Sequence, residues 1–122
     1  MHGGFGRDST FNNMAAAGPD FKQDFEDRLP VSNADITPTL AHVLGLQLPA
    51  TGQLRGRVLS EALTAGADPA ATAVRSGKLA SAPTQSGRAT ILEYQQYEGR
   101  KYFDTACQVA APSGDSAATC NP

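Results

Sequence analysis

Few residues in this chain carry the chemistry of a site, and they gather near its start. His2 is followed at once by Gly3 and Gly4, whose missing Cβ atoms let backbone and ligand approach closely. A histidine in such a loop is a candidate metal ligand. Asp8, Asp20 and Asp24 offer further oxygen donors. Catalytic zinc takes about three ligands from protein, and the chain has no H-x-x-x-H, no H-x-D and no second loop histidine. These residues alone therefore do not complete a catalytic zinc site. Ser9 and Thr10 adjoin Asp8, but a hydroxyl without a neighbouring base is a weak nucleophile, so they read as turn and strand residues. His42 falls one step off an apolar helical stripe and reads as a partly exposed structural histidine. The glycine-rich opening contains neither G-x-G-x-x-G after a strand nor GKS/GKT, so it is no phosphate loop.

The two cysteines, Cys107 and Cys120, lie near the C-terminus and belong to no CxxC pair. In an exported protein they can close a short loop, worth about 3 kcal/mol against the unfolded chain. In a cytosolic one they are two thiols.

The elements that must position these groups are modest. With 122 residues the chain fits one ordinary domain with a small core. It carries 10 Lys+Arg against 12 Asp+Glu, for a net charge of −2, which argues against a nucleic-acid-binding face. No apolar run approaches the roughly 18 to 20 residues of a membrane span, and MHGGFGRDST lacks the apolar stretch of a signal peptide. Twelve Gly and 8 Pro require many turns.

Thr10 to Ala17 alternates like a strand, followed by a Gly18-Pro19-Asp20-Phe21 turn and a charged connector over 22–28. Ser32 to Gly45 is the clearest element. Ser32, Asn33 or Asp35 can cap its first turn, Pro38 suits only a position near that start, and Gly45 supplies a left-handed stop. Ile36, Leu40, Val43 and Leu44 form one apolar stripe, so this helix is expected to dock on something apolar. Residues 46–56 read as loop, 57–63 as a brief ordered stretch, and 64–87 as a loop-rich crossing. From Arg88 the period becomes two, Glu98-Gly99 offers a tight turn, and Lys101 to Thr105 returns as the second strand of a β-hairpin. Residues 106–122 have too little bulk for a core and read as a disordered tail.

Several segments appear together in order. They are His2-Gly3-Gly4-Phe5, then Asn13 to Lys22 (NMAAAGPDFK), then Val31-Ser32-Asn33-Ala34-Asp35-Ile36 with Pro38-Thr39-Leu40 and Leu44-Gly45-Leu46, then Gly56 to Leu63 (GRVLSEAL) and Tyr102-Phe103-Asp104. Over about residues 2–105 this resembles the C-terminal part of the alkaline phosphatase superfamily. Within it the pattern looks most like the type I phosphodiesterase/nucleotide pyrophosphatase and sulfatase-like bacterial hydrolases.

The resemblance implies an α/β chain: the C-terminal part of an alkaline-phosphatase-like α/β/α sandwich over 1–105, with a hairpin near its end. It implies a zinc-dependent hydrolase of phosphate or sulfate esters, in which a Thr or Ser (a formylglycine in sulfatases) attacks phosphorus or sulfur. Two zinc ions about 4 Å apart would stabilise the attacking and leaving oxygens. His2 matches the last histidine ligand of one zinc and is the one ligand that carries over. The nucleophile and the other ligands lie N-terminal to this point in the family, so the expectation is a segment inactive without that N-terminal half, marginally stable and exposing apolar surface. The resemblance suggests a periplasmic or secreted location. The alternative expectation is a small exported, non-catalytic binding domain on the same scaffold, with Cys107–Cys120 pinning its tail.

Overall fold

The computed structural model describes residues 4–11, 13–49, 52–53, 56–67, 74–110 and 120. The chain divides into two compact units, one formed by residues 1–14 with 74–122 and the other by residues 15–73. Among the described residues it is a mixed α and β protein with one three-stranded antiparallel sheet and few helices.

In the first unit, β1 (Arg75–Ala80), β2 (Arg88–Tyr97) and β3 (Arg100–Ala110) lie in the order β1-β2-β3. β2 and β3 form the expected hairpin. Tyr97 faces Arg100 across a two-residue turn in which Glu98 and Gly99 have φ of 47° and 75°. Two positive φ values match a type I′ turn, whose twist suits adjoining strands. The pairing shifts between Glu93, opposite Thr105, and Tyr94, opposite Phe103, which leaves Asp104 as the extra residue of a bulge. Both groups of Asp104 are used: its carboxylate accepts from Gln95 Nε2 at 2.9 Å and its carbonyl accepts from the Thr10 hydroxyl. The unit's buried apolar residues are Ala89, Ile91, Tyr97 and Tyr102.

Three expectations are corrected here. The strand expected over 10–17 is absent among the described residues: α1 (Arg7–Thr10) takes its first residue, and 11 and 13–17 are irregular. Beyond Thr10 and Phe11 the stretch NNMAAA offers no branched or aromatic residue to pack, and Thr10 turns its hydroxyl to β3 instead. The crossing expected over 64–87 contains β1. Its sequence, RSGKLA, is almost wholly exposed, so its strand state comes from hydrogen-bonded pairing with β2 and not from an apolar face. The disordered tail expected from Ala106 is corrected over 106–110, which belong to β3. Cys107 and Cys120 are joined in a disulfide, while 111–119 and 121–122 fall outside the described residues.

The second unit is built on α2 (Asn33–Val43) and a 3-10 turn, Ser60–Ala62. A single antiparallel bridge between Phe21 and Leu63 ties the start of the unit to that turn, with Lys22 N–H donating to Ala62 O and Thr64 N–H to Asp20 O, both at 2.9 Å. α2 begins where the capping residues lie. Ser32 is the N-cap, and Asp35 at the third position accepts from the Ser32 N–H at 2.8 Å. Gly45 just beyond the helix has φ of 64°, and Leu46 N–H closes back on Ala41 O at 2.8 Å. Pro38 lies further into the helix than its N-terminal turn. It has no N–H to offer Ala34 O, and Gly56 approaches that same carbonyl so closely that a Cβ there would overlap it.

The orientation of α2 departs from expectation. Its buried residues are Asp35, Thr39 and Ala41. Ile36, Leu40 and Leu44, on the stripe expected to dock, are 39%, 47% and 66% exposed. The reason is the set of polar partners in this unit: Asp35 and Thr39 both bond to the 57–59 segment and turn their side of the helix inward. Leu46 and Leu48 extend the exposed apolar surface past the helix end.

Candidate functional site

The most developed arrangement in the described residues is a buried polar network under α2. Asp35 is 1% exposed and Arg57 5%. Asp35 Oδ1 accepts the backbone N–H of Arg57 at 2.8 Å, and its Oδ2 accepts that of Ser32. One turn on, Thr39 donates its hydroxyl to Asp35 O at 2.7 Å and accepts Leu59 N–H at 3.0 Å. Two side chains of one helix face thus hold alternate amides of an extended segment. A strand neighbour would ordinarily satisfy those amides.

Arg57 turns its guanidinium the other way. Nη1 donates to Glu61 Oε2 at 2.8 Å, Nη2 lies 2.5 Å from Glu61 Oε1, and Nη2 also donates to Pro30 O at 3.3 Å. Both side chains of this ion pair are at most 5% exposed. Burial works to raise the Glu61 carboxyl, but the Arg57 hydrogen bond and charge outweigh it and hold Glu61 below the usual glutamate range. Asp27 stands beside the pair. Its Oδ1 accepts Leu29 N–H at 2.9 Å. Burial pushes its carboxyl above the usual aspartate range, and the adjacent Glu61 pushes it further. Each residue of this network bonds within the protein, although Asp27 Oδ2 is buried and receives no hydrogen bond, and the network acts as a clamp that fixes 57–61 against α2 and the 27–30 loop. It presents no hydroxyl or thiol to a substrate.

In the first unit a cleft of about 480 Å³ lies between α1 and the disulfide, bordered by Arg7, Asp8, Glu93 and Thr105. Cys120 reaches into this region. Its N–H donates to Glu93 Oε1 at 3.3 Å, and Glu93 also pairs with Lys78 at 3.2 Å. Phe5 closes the neighbouring side, with its carbonyl bound to Ala106 N–H at 2.6 Å and its ring edge-on to Phe103.

The residues singled out from sequence are scattered. His2 lies outside the described residues. Asp8, Asp20, Asp24 and His42 are exposed, and Ser9 and Thr10 belong to α1 with no acidic or basic side chain bonded to either hydroxyl. Among the described residues no group of three or more His, Cys, Asp or Glu is placed to hold a metal ion. No described helix is long and apolar enough to cross a membrane. Of the clamp, sequence reasoning reached only Asp35, as a cap. Arg57 and Glu61 stand four apart in an otherwise apolar stretch, RVLSEAL, and that spacing was the available signal for a buried pair. No family model, no curated protein and no solved structure matches the chain.

Proposed function

We propose that this chain is a C-terminal segment of a metal-dependent hydrolase of phosphate or sulfate esters, folded as part of an alkaline-phosphatase-like α/β/α sandwich. In this reading His2 is one ligand of a two-zinc site, and the nucleophile and the other ligands come from an N-terminal half. The described residues do not make up a zinc site by themselves, so no catalytic step is assigned to them.

The observation that carries the reading is the orientation of α2. A helix that buries Asp35 and Thr39 on one side and exposes Ile36, Leu40 and Leu44 on the other has two faces made for packing. Such a helix belongs between layers, with the polar face held by the 57–61 clamp and the apolar face against a sheet. The disulfide supports an oxidising, periplasmic or extracellular location. It also favours a second reading, a small exported binding domain that keeps this scaffold without chemistry.

Reading the coding sequence immediately upstream of the Met1 codon separates the two. An in-frame extension encoding a Thr or Ser nucleophile with further Asp and His is the expected result. A stop codon and a ribosome-binding site directly upstream would contradict the hydrolase reading and leave the binding domain.

A further inference from the structure

The two faces of the sheet differ in burial and in charge. Ala89, Ile91, Tyr97 and Tyr102 are buried on one of them. On the other, the register places Gln96 between Arg75 and Lys101, Tyr94 between Gly77 and Phe103, and Leu92 between Leu79 and Ala106. Arg88, opposite Ala110, ends the same face. Arg75, Arg88 and Lys101 are exposed there, and none of them is in an ion pair among the described residues. The acids of the strands turn away. Glu93 pairs with Lys78 on the buried face, and Asp104 in the bulge bonds to Gln95. A chain of net charge −2 thus has one sheet face whose charged strand residues are all cations.

Aromatic surface lies among these cations. Phe103 is 45% exposed, and Phe5, edge-on to it at 5.7 Å, is 51% exposed. The Tyr94 ring lies low against β1 at Gly77, where an added Cβ would sit 2.5 Å from its Cζ. Lys101 Nζ stands over that ring, 4.7 Å from the centroid. Along β2 the row of Arg75 and Lys101 is separated from Arg88 by eight residues, about 27 Å of strand at 3.4 Å per residue.

We propose that this face binds an acidic polysaccharide laid along β2, with sugar rings on Tyr94, Phe103 and Phe5 and carboxylates on Arg75, Lys101 and Arg88. Cations spread over that length match a polyanion better than a small ion. The C–H face of a pyranose is apolar and packs on aromatic surface, while its carboxylate meets a guanidinium or ammonium. Thr90, Gln96 and Gln108 share the face. These neutral donors and acceptors suit sugar hydroxyls, and lipid chains would leave them unpaired. The Cys107–Cys120 disulfide fits an oxidising compartment, away from cytosolic nucleic acid. The site uses none of the residues on which the hydrolase reading rests, so either can fail without the other.

The test is an amide NMR titration of the full chain with oligogalacturonate, a uronic-acid probe, compared with neutral dextran, an oligothymidylate and phosphatidylglycerol vesicles. Oligogalacturonate is expected to bind most tightly, to shift amides of β1, β2 and β3, and to weaken with added salt. Affinity should fall about tenfold in the Arg75→Glu, Lys101→Glu double variant and about fivefold in Phe103→Ala. Arg28→Glu makes the same change of charge in the other unit, where its side chain is 84% exposed, and should leave binding unchanged. Tighter binding of dextran, oligothymidylate or vesicles overturns the proposal. So do shifts confined to residues outside the sheet, or a loss in Arg28→Glu equal to that in the double variant. If a face variant does not fold, the shifts and the order of affinities on the native chain decide alone.

Discussion

Asp35 reaches across 22 residues of sequence to accept the backbone N–H of Arg57 at 2.8 Å, with its carboxylate 1% exposed. The same side chain starts α2 by accepting from Ser32. One residue thus sets both where the helix begins and which segment lies against it. Replacing it with alanine removes a cap and leaves the buried Arg57 amide without an acceptor, a combined cost of about 3 kcal/mol. Asp35→Asn keeps one carbonyl oxygen for Arg57 and should cost about half as much. Denaturant midpoints of the full chain check both values; equal costs would place the energy in the charge and not in the Arg57 bond.

The close approach of Gly56 to α2 gives a steric prediction. A Cβ at position 56 overlaps the Ala34 carbonyl, which is fixed in the helix backbone and cannot swing aside. Gly56→Ala should destabilise by about 3 kcal/mol or more. Gly45 offers the control, since its φ is 64° and nothing lies within 4 Å of an added Cβ. Gly45→Ala therefore meets only the backbone penalty of about 1–2 kcal/mol. Thermal unfolding of the two variants side by side distinguishes crowding from conformational strain.

The inverted orientation of α2 predicts a reversed tolerance to substitution. Leu40 is 47% exposed, so Leu40→Gln should change the stability of this chain by no more than about 0.5 kcal/mol. Thr39→Val is nearly isosteric yet removes the acceptor for Leu59 N–H and the donor to Asp35 O. It should cost about 2 kcal/mol. Unfolding midpoints that rank the two substitutions the other way would show that the apolar stripe is the buried one.

The Cys107–Cys120 link holds Cys120 beside β2, where its amide meets Glu93. Reduction, or Cys107→Ser, releases a loop spanning 13 residues of sequence separation and should lower stability by about 3 kcal/mol. The loss should be confined to the sheet unit. Amide exchange on the full chain, with and without reductant, reads this: protection should fall in β2 and β3 and remain in α2.

Legibility in the sequence followed the local rules closely and failed where tertiary partners decide. The start and stop of α2 could be read because Ser32, Asp35 and Gly45 act within one turn of the helix ends. The hairpin could be read because Glu98-Gly99 fixes its own backbone and the strands alternate around it. β1 could not, because an exposed strand such as RSGKLA has no apolar period to show. The face that α2 buries was also hidden. Hydrophobicity pointed to Ile36 and Leu40, while the actual partners are the backbone amides of 57 and 59, which carry no sequence signal. The Arg57–Glu61 pair and Asp27 were missed for a related reason, since charged residues ordinarily mark solvent.

In the proposed function this chain completes a hydrolase together with an N-terminal half, with His2 as a zinc ligand and the stripe of α2 as its docking face. Co-expression of the chain with the polypeptide encoded upstream, followed by assay of phosphodiester, phosphomonoester and sulfate-ester hydrolysis with zinc, tests it most directly. The expected result is hydrolysis of at least one ester class by the pair and by neither part alone, with loss of the activity in His2→Ala and in Leu40→Gln. A pair that assembles but hydrolyses none of these esters, or an activity that survives His2→Ala, would contradict it.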